Sequence, residues 1–414
     1  MTQNRRFDLV VFGATGFTGK LVAEQLARTR TGSSSLKWAI AGRDPKKLAE
    51  VKAELARINS DLGSLDVLVA DSHDRPSLDA VARETRVIAT TVGPYMKYGR
   101  ELASACAEHG THYADLTGEV LFVRESIERN HAMAQKTGAR IVHSAGFDSI
   151  PSDLGVFTLH EYFAAQKRKL TRAWFFCEAL KGEISGGTVD TMVSSVEAAS
   201  RDREKRRLLM NPYGLVPDGE PGPAKDRHTV RFEQRIGKWV CPFVMAACNT
   251  RVVHRSNALL GYAYGRDFLY SEEMSTGSGP AGFARATAMT GGIATAAALA
   301  FTSVGRRVLK PFQPAPGKGP SAQSRDAGFF KIRIIGESNA PNGSPPLLAD
   351  AEIHGQHDPG YGETAIMLSE AALCLAFDPL DSPAGVLTPA VAMGTHLLER
   401  LRRAGMTFRV TART

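Results

Sequence analysis

Residues 9–19 read Leu9-Val10-Val11-Phe12-Gly13-Ala14-Thr15-Gly16-Phe17-Thr18-Gly19, an apolar run that enters a loop with glycine at every third position. Such an unbroken apolar run fits a strand buried on both faces. After the loop, Leu21, Val22 and Leu26 recur at helical spacing, so a helix is expected over 17–30. Strand, glycine turn and helix start are the parts of a cradle for a dinucleotide pyrophosphate. Gly13 suits the tight turn, Gly16 a close approach of backbone to phosphate, and Gly19 close packing of helix on strand. Thr15, Phe17 and Thr18 complete the candidate contacts of this loop. The positive end of the helix then faces the pyrophosphate. An ordinary strand-to-helix turn has the same local look, so the weight comes from the next strands of the chain.

Residues 37–41 read as a second strand that ends in Gly42-Arg43-Asp44-Pro45. Enzymes that prefer NAD place an acid at this tip to bind the ribose 2′-hydroxyl. A small residue followed by Arg43 suits a 2′-phosphate instead, because the guanidinium offers a planar fork of donors and a permanent charge. NADP(H) is therefore the expected cofactor. Asp44 reads better as a helix cap, with Pro45 in the first position and Leu48, Val51 and Leu55 along one face.

The alternation continues. Further strands are expected over 65–70, 86–92, 111–116 and 140–145, with helices between them, including 102–109 and 120–136. Gly110 and Gly138 stand where helices should stop. Asp71, at the end of the third strand, is a candidate for the adenine amino group or a turn cap. Gly93 and Pro94 follow the fourth strand and are candidate nucleotide contacts. Strands alternating with helices mean a doubly wound parallel sheet with ligands at the C-terminal strand ends. Residues 1–150 are expected to form this Rossmann-type domain.

A chain of 414 residues has room for a second domain. It is expected over 151–384 as an α+β unit with a mixed or antiparallel sheet, serving substrate binding or dimerisation. Residues 385–414 are expected to pack back on the nucleotide domain. In the middle third, 172–180, 238–245 and 250–254 read as strands and 189–207 as a helix. Residues 329–337 and 347–354 read as an antiparallel hairpin. Helices are expected over 362–377 and 390–403, with a last strand over 406–410.

The five cysteines are scattered without a C-x-x-C pair, which suits reduced thiols and neither a zinc site nor a disulfide frame. With no apolar leader visible, a cytoplasmic location is expected. The net charge of +8 is partly carried by the run 201–207, whose interleaved acids suit a solvated helix face. No nucleic-acid module is visible, and no nucleic-acid partner is expected. Residues 286–305 are uncharged, with Arg285, Arg306 and Arg307 beside them. Their Ala, Thr and Gly content makes a buried or interface helix the first reading. A helix lying on a lipid surface comes second and a membrane span third. A homodimer and a peripheral membrane contact are the partner expectations beside the substrate.

Together the segments FDLVVFGATGFTGKL (7–21), WAIAGRD (38–44), TTVGPYMKYG (90–99), YADLTGE (113–119) and GFDSIPSDLG (146–155) resemble the saccharopine dehydrogenase-like oxidoreductases. SGGT (185–188), PGKGPS (316–321), DPGY (358–361) and GVLTPA (385–390) extend the likeness over nearly the whole chain. The branch resembled is that of the mycobacterial trans-acting enoyl reductases. The resemblance implies an NADP-binding domain followed by a second α/β domain. It further implies reduction of a carbon–carbon double bond in a polyketide-derived lipid intermediate, and association with lipid.

Hydride transfer needs the nicotinamide held against the substrate, a donor for the carbonyl oxygen and a proton source. Tyr95 is the first candidate donor, against the alternative that its ring packs under the nicotinamide. Tyr98 is the second. Glu119 either orients one of these groups or serves a helix start. Ser152 and Asp153 read as helix caps. No Tyr has Lys four residues later, which excludes the short-chain dehydrogenase arrangement. No HExxH, GxSxG or Walker loop is present. Two alternatives stand beside an enoyl reductase acting on a small-molecule or lipid acyl substrate: a non-catalytic NADP-binding protein at a lipid surface, and a saccharopine-type amino-acid dehydrogenase.

Overall fold

In the computed structural model, which describes residues 5–29, 36–182, 186–217, 222–309 and 319–413, the chain opens as a strict alternation. It runs β1 (Phe7–Phe12), α1 (Phe17–Thr29), β2 (Trp38–Gly42), α2 (Pro45–Ile58), β3 (Asp66–Val69), α3 (Arg75–Glu84), β4 (Thr85–Thr90), α4 (Tyr95–Tyr98), α5 (Arg100–His109), β5 (His112–Asp115), α6 (Val120–Thr137) and β6 (Arg140–Val142). There follow α7 (Ile150–Ala164), β7 (Leu170–Lys181), α8 (Gly186–Arg201), α9 (Arg203–Met210), β8 (Arg231–Glu233), β9 (Lys238–Pro242), α10 (Ala246–Leu259) and β10 (Leu269–Gly277). The chain then forms α11 (Gly279–Phe301), α12 (Ser303–Leu309), α13 (Ala322–Asp326), β11 (Phe329–Ser338), β12 (Leu348–Gly355), α14 (Gly362–Phe377), β13 (Gly385–Leu387), α15 (Pro389–Arg403) and β14 (Thr407–Ala412). Residue 185 of the SGGT segment and residues 316–318 of the PGKGPS segment lie outside the described residues.

Two compact units result. Unit 1 takes residues 1–147, 316–320 and 360–404, and unit 2 takes 148–315, 321–359 and 405–414. Both differ from the division expected from the sequence. Residues 360–384, placed in the second domain, belong to unit 1. Residues 405–414, expected to pack back on the nucleotide domain, belong to unit 2. The physical reason is pairing. β13 hydrogen-bonds to β6, with Val386 opposite Ile141, and β14 hydrogen-bonds to β12, with Phe408 opposite Ile353.

Unit 1 is a parallel sheet in the order β13-β6-β5-β4-β1-β2-β3. Leu9, Val10 and Val11 of β1 and Ala39, Ile40 and Ala41 of β2 are all fully buried, because helices cover both faces. α2 starts where the sequence says: Asp44 accepts from Lys46 N at 3.0 Å and Lys47 N at 3.2 Å, and Pro45 follows. α14 packs against α1, β1, β4 and β5. It is apolar on most sides, as a helix covered all round must be. Strand order reverses at β1, between β4 and β2, and that reversal opens the ligand crevice at the C-terminal strand ends.

Unit 2 is a mixed sheet in the order β14-β12-β11-β7-β10-β9-β8. β11 and β12 form the expected hairpin, with Ile332 opposite Ile353. β7 and β10 run parallel in the middle. α7 lies on β7, β11, β12 and β14.

Three local expectations are corrected. Residues 250–254, read as a strand from Thr250, Val252 and Val253, are part of α10, where Arg251 and Arg255 are buried and bonded to surrounding groups. The helix read over 189–207 is two helices. Asp202 accepts from Glu204 N at 2.9 Å and Lys205 N at 3.1 Å and so starts α9. Residues 286–305, read first as a buried or interface helix, form the end of α11 and the start of α12 and are mostly exposed: along α11 the buried residues are Gly282, Ala286 and Ala300. Among the described residues, no helix is long and apolar enough to cross a membrane, which removes the span.

Candidate functional site

The glycine loop turns directly off the tip of β1. Gly13 has φ +91°, a left-handed conformation that a side chain resists, and an added Cβ would sit 2.4 Å from Val92 Cγ2. A Cβ on Gly19 would meet Gly13 O at 2.2 Å, so α1 approaches the strand tip as closely as backbone allows. Gly13 N and Ala14 N donate to Ala41 O at 2.8 and 3.3 Å, and Gly16 N donates to Gly13 O at 2.9 Å. The first turn of α1 carries no acid. Its positive end is therefore left for an anion. Phe17 packs edge-on against Tyr361, with ring centroids 4.9 Å apart. A Cβ on Gly319 would strike the Phe17 ring at 2.3 Å. Three sequence motifs distant along the chain thus meet at the first residue of α1.

Gly42 lies close to Thr15, its Cβ position 3.7 Å from Thr15 Oγ1. Arg43 follows at the tip of β2, exposed. Among the described residues no acid pairs with its guanidinium, so it is free to meet a 2′-phosphate. Asp71 behaves as a turn cap: Oδ1 accepts from His73 N at 2.9 Å. Among the described residues no hydrogen bond is made to its second oxygen.

The structure encloses Tyr95. The side chain is 6% exposed. Its hydroxyl donates to Thr90 O at 3.2 Å and accepts from Leu116 N at 3.2 Å, which ties the end of β4 to the end of β5. Glu119 is buried, and its carboxylate accepts from Tyr95 N at 2.6 Å and Met96 N at 3.0 Å. It therefore caps α4 across the fold, a helix-start role on a helix other than its own. Gly93 lies between β4 and α4, and Pro94 precedes Tyr95 and accepts from Lys97 N and Tyr98 N. Tyr98 stacks near His73, with ring centroids 5.3 Å apart, and Lys97 Nζ lies 4.9 Å from its ring. That position belongs to the turn after β3, on the side of the crevice where a dinucleotide places its adenosine half.

Below the ends of β5 and β6 runs a sealed polar chain. Tyr113 donates to Asp115 Oδ2 at 2.9 Å, His143 Nδ1 meets the same oxygen at 2.7 Å, and His143 Nε2 meets Ser126 Oγ at 2.8 Å. Asp115, His143 and Ser126 have the order of a hydrolase triad, yet all three are buried. The chain is an internal tie. It also holds Ser144 N to Asp115 Oδ1 at 3.1 Å, with Ser144 at φ 60°. A left-handed serine at this strand end is backbone strain beside the crevice.

Unit 2 contains a second buried network that the sequence did not reveal. Asn249 accepts from Ser149 Oγ at 3.0 Å and donates to Ser152 Oγ at 3.1 Å and Glu272 Oε2 at 3.0 Å. Tyr270 donates to Glu272 Oε1 at 2.7 Å. Burial pushes the Glu272 carboxyl up to about 7. Ser152 and Asp153, read as caps, make side-chain bonds into this interior: Ser152 to Asn249, and Asp153 to Ser256. Ser149 is the cap residue of α7 and makes no side-chain cap bond. The signal was present only as the polar run Asn249-Thr250-Arg251 and Ser256-Asn257, which helical spacing spreads around α10. Among the described residues, no group of His, Cys, Asp and Glu is placed to hold a metal.

A family model for the saccharopine dehydrogenase NADP binding domain matches residues 9–142. A Mycobacterium tuberculosis protein provisionally named a trans-acting enoyl reductase is 42% identical over 425 residues, covering 98% of each chain. The trans-acting enoyl reductase of Mycobacterium ulcerans is 39% identical over 431 residues, again covering 98% of each. The chain belongs to the saccharopine dehydrogenase-like family, in the branch of the trans-acting enoyl reductases. The apo saccharopine dehydrogenase (L-Glu forming) of Saccharomyces cerevisiae shares the fold, with TM-score 0.56, 12% identity, and coverage of 98% and 99%. As a member of this family the chain is an NADPH-dependent oxidoreductase. The cradle that side chains at Gly13 and Gly19 would fill, and the unpaired Arg43, fit NADP(H).

Proposed function

We propose that the protein reduces the carbon–carbon double bond of an enoyl group in a lipid or polyketide-derived intermediate. The observation that carries this reading is full-length identity of 38–42% to proteins named trans-acting enoyl reductases. Bound NADPH supplies a hydride. The loop Gly13–Gly19 would hold the pyrophosphate on the end of α1, and Arg43 would hold the 2′-phosphate. Glu119 and Tyr95 fix the ends of β4 and β5 under the reacting region, a positioning role. In an enoyl thioester that hydride would add at the β-carbon and move the electron pair to the carbonyl oxygen, and the resulting enolate would take a proton from water at the α-carbon. The hydride needs a dry, fixed approach more than it needs a nucleophile.

The test is NADPH consumption by purified protein with a medium-chain 2-enoyl thioester. Turnover is expected with NADPH and much less with NADH. Arg43→Glu should weaken NADPH binding by about tenfold or more and change NADH binding little. Tight NADPH binding with no reduction of any enoyl thioester overturns the substrate reading and leaves the cofactor reading standing. Equal losses for both cofactors overturn the role of Arg43. A second reading, contact of α11 with a lipid surface, is favoured by the exposure of Phe283, Met289, Ile293 and Phe301. It adds to the first and does not replace it.

A further inference from the structure

Unit 2 contains a pocket of about 400 Å³ whose floor is formed in part by Trp174 of β7 and Ser271 of β10. These two residues are register partners on parallel strands, so their side chains share one face of the sheet. Around them stand four cations: Arg172, Lys225, Arg227 and Arg235. The lining holds one acid, Asp226, and the buried Arg251 already neutralises it through bonds of 2.8 and 2.6 Å. Arg235 lies 3.9 Å from the centre of the Trp174 ring and pairs with Glu233 at 2.9 Å. Arg172 pairs loosely with Glu337 at 3.7 Å. Lys225 and Arg227 are exposed, and among the described residues neither has an acid within ion-pair distance. The pocket therefore has two cations that no described residue balances.

The second observation is independent of charge. Ser271 is 7% exposed, and its Oγ is enclosed without a hydrogen-bond partner. A buried hydroxyl left unpaired is costly to the fold, so its retention needs a reason. A ligand oxygen in the pocket would accept from it.

We propose that this pocket binds a soluble phosphorylated small molecule, distinct from the dinucleotide held by unit 1. A phosphate suits the lining better than a carboxylate. Its second charge matches two unbalanced cations, and its three terminal oxygens can accept from Lys225, Arg227 and Ser271 together. Trp174, 6% exposed beneath Arg235, borders the ligand together with Pro223 and Leu269 as the apolar part of the lining.

The test uses the full chain presaturated with NADP+, so that the glycine cradle is filled, and inorganic pyrophosphate as the probe in a calorimetric titration. Saturable binding to one site is expected. Lys225→Ala with Arg227→Ala should weaken it by about tenfold or more, and Ser271→Ala by a few fold, with NADP+ affinity unchanged in each. Lys225 and Arg227 are exposed, so the double variant should keep its fold, which an unchanged far-UV circular dichroism spectrum and thermal midpoint check. Loss of pyrophosphate binding on saturation with NADP+, or equal binding by wild type and the double variant, overturns the proposal. A second arm offers vesicles carrying phosphatidate. Capture of vesicles through Lys225 and Arg227, without binding of free pyrophosphate, overturns a soluble ligand.

Discussion

Glu272 is held above its ordinary value of 4.5, at about 7, chiefly because burial disfavours its charged form. Between those values the folded chain keeps a proton that the unfolded chain releases. Its contribution to stability therefore falls as pH rises through this window and levels off above it, a loss on the order of 3 kcal/mol. Two histidines act in the other direction. Burial lowers His254 to about 3 and His112 to about 4, from 6.5. The unfolded chain binds protons there that the folded chain refuses, so stability falls as pH drops below 6.5. His160 and His354 are lowered as well, so below 6.5 the histidines outweigh the one carboxyl, above it the carboxyl dominates, and denaturant midpoints should peak near pH 6.5. Glu272→Gln should remove the decline above the peak and steepen the rise below it; parallel profiles for variant and wild type would refute the assignment. Tyr95 gives a second residue-scale test. Tyr95→Phe removes two bonds at the sheet end and should cost about 1–3 kcal/mol in stability. Turnover at a temperature where the variant is folded should stay within a few fold of wild type. A hundredfold fall in kcat with stability intact would restore the hydroxyl to the chemistry.

At the scale of elements, legibility in the sequence depends on how each strand is covered. β1, β2 and β4 lie under helices on both faces and read as apolar runs, so the parallel sheet and its cradle are legible. β10 is not, because Glu272 and Glu273 sit buried in its middle, paired with Asn249 and with Arg231. β13 is hidden by its length of three residues. It joins the sheet only through β6, a partner more than two hundred residues earlier, and so moves the domain boundary. α10 misleads for a related reason: Val252 and Val253 favour a strand locally, and tertiary bonds to Arg251 and Arg255 override that preference. In the candidate site, glycines and Arg43 are legible because backbone geometry and charge belong to the residue itself. The role of Tyr95 is not, because it depends on Thr90, Leu116 and Glu119, which only the fold brings together.

At the scale of the whole molecule, the least explained surface is the long helix α11 with α12. From Thr287 to Ala298 α11 has no buried residue, and Phe283 and Phe301 are each 46% exposed. No acid occurs from Gly279 to Leu309, while Arg285 and Arg307 are exposed beside the apolar side chains. An uncovered apolar helix with cations and no acids suits an anionic lipid surface, where apolar insertion and charge attraction add. It suits a second copy of this chain less well, because two such faces would bring like charges together. The full chain should therefore float with vesicles rich in phosphatidylglycerol and remain behind with phosphatidylcholine alone. Raising salt should weaken flotation, since the charge term is screened over about 10 Å at 0.1 M. Ile293→Glu with Phe301→Glu should abolish flotation and leave NADPH binding unchanged, because both positions lie on unit 2 and are already exposed. If the intact chain fails to float, and sedimentation shows a dimer that the same double variant dissociates, the face serves self-association and the lipid reading falls.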